Sequence, residues 1–119
     1  MNNETAPGNE AVRVDTAMAN IRAQQVLAEI MTLLGRKAIY PNAVQQQMLD
    51  SHIRAMVLRS FTGEPLPEVE KDLFEDISAD SMAMAEQVVE GVGNLPIEEA
   101  YLLSVHFEVA KENTRDNNL

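Results

Sequence analysis

The stretch Leu95-Pro96-Ile97-Glu98-Glu99-Ala100-Tyr101-Leu102-Leu103-Ser104-Val105-His106-Phe107 decides how this chain is read. Pro96 has the fixed φ and the missing N–H that suit a first helical turn. Glu98 and Glu99 follow at the positive end of the helix dipole. The apolar run after them predicts a helix from Ile97 to about Thr114. Leu102, Val105 and Val109, joined by Leu103, are expected on its inner face. His106 lies inside that face, between Leu102 and Leu103 on one turn and Val109 and Ala110 on the next. An imidazole set among apolar residues is either a core group with a polar partner or a site.

Working back from that helix, the chain reads as helices throughout. Ser78 is a candidate cap for a helix from Ala79 to Val92 carrying Met82, Ala85, Val88 and Val89. Gly91-Val92-Gly93-Asn94 stops it. Glu68 to Asp76 reads as a short helix with Val69, Leu73, Phe74 and Ile77 inward. A longer helix runs from about Asn42, its cap, to Phe61, closed by Thr62-Gly63. One of its faces carries Val44, Met48, Leu49, Ala55 and Met56, with His52 in the middle and Arg59 seven residues on. The other carries Ile53, Val57 and Phe61. A helix apolar on two faces is central in a core or shared with a partner, so these three are expected to help form a symmetric dimer or to pack under the short acidic helix. The first helix is expected from about Thr16 to Leu34, with Asp15 or Thr16 preferred as cap over a start near Glu10, and with Gly35 as stop. Ala19, Ala23, Val26, Leu27, Ile30 and Leu34 share one of its faces. Residues 1–14 read as a flexible polar tail and 15–119 as one helical domain. Arg115 to Leu119 is polar and expected to fray.

Composition narrows the function. A chain of 119 residues has room for one core. At 45% hydrophobic and 24% charged it is globular rather than disordered. With no Cys there is no disulfide scaffold, no thiolate zinc site and no Cys nucleophile. No apolar run reaches the roughly 18 residues of a membrane span, and no signal peptide is evident, so a cytoplasmic location is expected. The net charge of −10 repels phosphate backbones, so direct nucleic-acid binding is not expected. Glu64 to Asp80 concentrates seven acids against one Lys, a run that reads as solvated surface.

The chemistry rests on two histidines. No His pair at helical spacing, zincin pattern or Cys accompanies them, so no metal and no cofactor are expected. Ser51 and Ser104 sit inside helices without a nucleophile elbow. An enzyme using His52 or His106 as base or ligand is the least favoured class. The internal methionines read as core filler.

The stretch from Leu95 to Phe107 resembles the closing helix of the PTS regulation domain, the PRD family, which shows a Leu-Pro, an acidic pair, Glu-Ala, an apolar stretch and then a His. Leu49-Asp50-Ser51-His52-Ile53 through Arg59 is similar to that family's other motif, a His after an Asp followed seven residues later by an Arg on a helix. The resemblance covers about residues 16 to 114. It implies an all-α, five-helix bundle, usually dimeric, here as a single stand-alone domain. It implies a regulatory module for transcription whose histidines accept phosphoryl groups from the phosphocarrier HPr or an enzyme II B component. His106 and His52 would be the phosphoacceptors, with Arg59 and Arg54 pairing the phosphate. A homodimer and a transcription-regulator partner follow from the same resemblance. The alternative is a helical interaction and dimerisation module that keeps the fold without phosphorylation.

Two departures refine this. The family's Asp directly before the first His is Ser51 here, and Asp50 stands one place earlier. On a helix that turns the carboxylate by about 100°, away from orienting the imidazole. His106 therefore ranks first as acceptor and His52 as the structural or vestigial site. Tyr101 also stands where the family prefers a small residue.

Overall fold

The computed structural model describes residues 5–117, with side chains described for residues 16–113. Four α-helices carry the fold: α1 (Thr5–Arg36), α2 (Ala43–Thr62), α3 (Ala79–Val92) and α4 (Glu99–Asn117). Among the described residues there is no strand. α1 packs on α2, α2 on α4, α4 on α3, and α3 back on α1, so the helices close a ring around one core.

The all-helical class is as expected, but the number of helices is four, not five. The segment expected as a short helix over Glu68 to Asp76 forms a single turn of 3-10 helix, Lys71–Phe74. No side chain caps its start. Glu68, Asp72 and Asp76 repeat at a four-residue spacing that would stack like charges along an α-helix. Its apolar residues also bury less than expected: Val69, Phe74 and Ile77 are half-buried and Leu73 is 75% exposed. Phe74 holds the turn to α4 through Tyr101, ring centroids 5.5 Å apart. The bulk of Tyr101 has a use here.

The backbone of α1 is helical from Thr5, before the Asp15 or Thr16 cap expected. Of the segment read as a polar tail, residues 1–4 lie outside the described residues, as do 118 and 119 of the polar C-terminal end. The expected inner face of α1 is the observed one. Ala19, Ala23, Val26, Ile30 and Leu34 are buried, and Leu27 packs at their edge.

Helix ends follow local chemistry. Asn42 and Gln45 form a reciprocal capping box at α2, with Gln45 N–H donating to Asn42 Oδ1 at 2.8 Å. Gly63, at φ +75, closes α2 in the left-handed region and donates its N–H to the Arg59 carbonyl. Ser78 caps α3, as expected, accepting from the Ser81 N–H. The stop of α1 is not at Gly35. Ala38 N–H bonds the Gly35 carbonyl and Ile39 N–H the Leu34 carbonyl, which puts the left-handed residue at Ala38, φ +59. This double-bonded ending tucks Ile39 into the core beside Leu34.

Two inner faces differ from expectation by part of a turn. On α4, Leu103, Phe107 and Ala110 are fully buried, while Val105 and Val109 are exposed and Leu102 is half-buried. On α2, Leu49, Ile53, Met56 and Val57 are buried, while Val44 and Met48 are exposed. Ile53 and Val57 therefore belong to the chain's own core and are not a dimer contact. Both helices carry apolar residues over more than half their circumference. Periodicity alone does not say which part faces in.

An alanine in the left-handed region is strained by about 1 kcal/mol, and glycine adopts that region freely. Ala38→Gly is expected to raise stability by somewhat less than that, because glycine also gains entropy in the unfolded chain. Urea unfolding reads the difference, and a loss of stability would contradict the strain at Ala38.

Candidate functional site

α2 and α4 run antiparallel, and their seam is built from three polar rungs. At one end Gln45 and Asn113 exchange amide hydrogen bonds, Asn113 also donating to the Tyr40 carbonyl at 3.0 Å. In the middle the rings of His52 and His106 meet, centroids 4.9 Å apart and planes tilted by 38°. At the other end Arg59 grips Glu99, Nε to Oε2 at 2.7 Å and Nη2 to Oε1 at 2.8 Å. Gln45, His52 and Arg59 are seven residues apart, as are Asn113, His106 and Glu99. Seven residues is close to two helical turns, drifting only about 20°, so each series stays on one line.

The seam lies on the border of the core. On its inner side are Leu49, Met56, Leu103 and Ala110, all buried. On its outer side are Met48, Ala55, Val105 and Val109, all exposed. Both histidines are half-buried between these sides. The Nε2 atom of His52 has no contact with solvent and no hydrogen-bond partner. Burial, then the neighbouring His106, then Arg59 push the His52 pKa down to about 4. Burial lowers that of His106 as well. Both rings are thus neutral at neutral pH, each with one nitrogen protonated and the lone pair of the other free.

The structure brings His52, His106 and Arg59 to one seam but leaves Arg54 off it. Arg54 is two residues past His52, on the side toward α1, where its Nε bonds Asp50 at 3.1 Å and Nη1 reaches Asn20. Asp50 is committed to that pair. Its carboxylate stands where the departure from the family motif would turn it. Arg59 shares the face of His52, yet its fork is already filled by Glu99, whose side chain is 1% exposed.

Glu99 was missed as a site residue, because an acid in the first turn of a helix is already explained by the dipole. A signal was present. Arg59 lies seven residues after His52 and Glu99 seven before His106, a mirrored spacing that two antiparallel helices with paired histidines must close. A second cluster missed from the sequence joins α3 to α4 behind the seam. Glu108 accepts from Ser78 Oγ at 2.8 Å and Ser81 Oγ at 2.7 Å, and Lys111 donates to Ser78 Oγ at 2.7 Å. Burial pushes the Glu108 carboxyl up, but those hydroxyls and Lys111 outweigh it and hold it below its ordinary value. Among the described residues, no group of three or more metal-ligating side chains comes together.

No protein-family model and no curated protein matches the sequence. A solved structure does: the crystal structure of a PRD-containing transcription regulator from Lactobacillus casei ATCC 334. It is 33% identical, with a TM-score of 0.76, and the match covers 82% of this chain and 92% of that one.

The two ion pairs of α2 are expected to differ in weight. Glu99→Ala leaves a largely buried guanidinium without its partner and is expected to cost about 3 kcal/mol. Asp50→Ala opens a pair about 40% exposed on both sides and is expected to cost less than about 1 kcal/mol. Denaturant unfolding of both variants checks the contrast, and equal costs would contradict it.

The His52 ring gives a pH test. It titrates at about 4 in the fold against an ordinary 6.5, so between those values the unfolded chain binds the extra proton. Its contribution to stability is fully present above pH 6.5 and is lost as the pH falls toward 4. Relative to His52→Leu, the wild-type chain is expected to lose about 3 kcal/mol between neutral pH and that lower value. Parallel urea titrations read this, and a difference that does not move with pH would contradict a buried neutral imidazole.

Proposed function

We propose, from the premise that the chain belongs to the PRD family, that it is a regulatory phosphoacceptor module of the bacterial sugar phosphotransferase system. It modulates transcription through the phosphorylation state of its histidines. The observation that carries this is the contact of the only two histidines in the chain, from two different helices, at the edge of the core. A neutral imidazole is a competent phosphoryl acceptor, and burial keeps both rings neutral. His106 is the first acceptor, because the Nε2 of its neighbour is sealed.

The donor is a phosphohistidine protein of the HPr type or an enzyme II B component, which places the chain in the cytoplasm. The chain is the substrate of that transfer, not an enzyme. A second copy is proposed to dock along the outer side of the seam, where Val44, Met48 and Leu58 of α2 and Val105 and Val109 of α4 are exposed. This replaces Ile53 and Val57 as dimer residues. With a net charge of −10 the chain acts on transcription through a partner rather than by touching nucleic acid.

A second function keeps the interaction surface without phosphorylation. It is favoured by the sealed Nε2 of His52 and by the commitment of both Arg59 and Arg54 to acids. Incubation with the phosphoenolpyruvate-driven phosphocarrier chain, followed by mass spectrometry under alkaline conditions, separates the two. Phosphohistidine is expected, first at His106, and its absence from both residues would leave the interaction module.

A further inference from the structure

Resting on the phosphoacceptor role proposed above, we infer that His52 and His106 are one acceptor site that holds a single phosphoryl group, each histidine excluding the other. The first reason is geometric. The rings are 4.9 Å apart between centroids, and the amide rung on one side and the ion pair on the other tie the two helices together. With both ends of the seam tied, the helices cannot part to separate the rings, and only a change of side-chain rotamer can.

The second reason is charge. A phosphorylated side chain carries nearly two negative charges at neutral pH. The first group already enters a border region whose cations are engaged: Arg59 by Glu99, Arg54 by Asp50, and Lys111 by Ser78 and Glu108. It can draw on Arg59 only in competition with Glu99. A second group on the adjoining ring would meet the charge of the first at close range, and among the described side chains of these two helices no further cation is left to offset it.

The third reason is access. His52 Nε2 has neither solvent contact nor a hydrogen-bond partner. A donor therefore reaches this nitrogen only when the packing around it changes.

The transfer itself is balanced for either ring. The lone pair of the acceptor nitrogen forms the new N–P bond. The N–P bond of the donor breaks, and its electron pair stays on the donor's nitrogen. The proton on the acceptor ring's other nitrogen passes through water to that departing amine or imidazole. The result is a chain that is either bare or singly phosphorylated, so two donors would compete for one place instead of writing two independent marks.

The test uses the tag-free full chain, whose only histidines are these two. It is phosphorylated to saturation with potassium phosphoramidate and, separately, with the phosphoenolpyruvate-driven carrier chain. Intact mass is read under alkaline conditions. One phosphoryl group is expected on the wild type, one on His52→Gln and one on His106→Ala, where loss of the ring opens the way to His52. Two groups on the wild type overturn the exclusion. So does none on the wild type from either donor, or none from either donor on His106→Ala with its helical circular dichroism intact, since His52 is then no alternative acceptor. His106→Asn serves if the alanine variant does not fold, and the wild-type count needs no variant. One group from phosphoramidate but none from the carrier chain keeps the exclusion and removes the proposed function. One from the carrier chain but two from phosphoramidate does the reverse.

Discussion

Glu99 is a carboxylate with 1% of its side chain exposed, and the helix pair around it depends on the guanidinium of Arg59. A buried acid without a cation is expensive, and the cost falls only when both oxygens are bonded. Arg59 meets that demand with two nitrogens. Because the fork admits one alignment, it fixes where the start of α4 lies against the last turn of α2. The rest of the seam follows from helix geometry. Seven residues in from that rung, His52 must meet His106, and seven further on Gln45 must meet Asn113. An ion pair that contributes little net stability against an apolar pair of the same size can still set a register.

That register also assigns the faces. With the polar line held at the border, Leu103 and Phe107 turn inward and Val105 and Val109 outward. This is why the inner face of α4 lies about one residue away from where its apolar spacing suggests. The same shift on α2 takes Ile53 and Val57 into the core and leaves Val44 and Met48 outside. The apolar residues left outside flank the histidines, so whatever covers that surface also covers the site.

The legible parts of the chain were those where local chemistry decides. Asn42 and Ser78 were readable as caps, since an oxygen two or three residues before an apolar run has few other uses. The inner face of α1 was readable because its other side is polar. What was not legible depends on a partner distant in sequence. Glu99 has an adequate local role at a helix start and reveals its second one only when α2 lies beside it. Ser81, Glu108 and Lys111 each look like ordinary surface until α3 and α4 meet. Ala38 takes the left-handed position that Gly35 seemed to offer, because Ile39 must turn into the core. The apolar spacing over Glu68 to Asp76 suggests a helix, but only the 3-10 turn Lys71–Phe74 forms there, where acids repeat at four-residue spacing. Both histidines were visible as residues out of place on apolar faces, but only the fold shows that they face each other.

The contact gives the site its direction of response. The fold keeps two imidazoles neutral by burying them, and a neutral ring makes no demand on the neighbouring ion pair. Any added negative charge changes that. It lies one rung from Arg59, the guanidinium on the same line, and competes with Glu99 for it. If Arg59 turns to the new charge, the Glu99 carboxylate is left buried without a cation and must reach solvent. Glu99 is the first residue of α4, beside Ala100, which is buried on the same turn. Its escape therefore loosens the start of the helix that carries His106. A charge placed at the middle rung is thus felt at the end of the seam, through the one interaction that sets how α2 and α4 align.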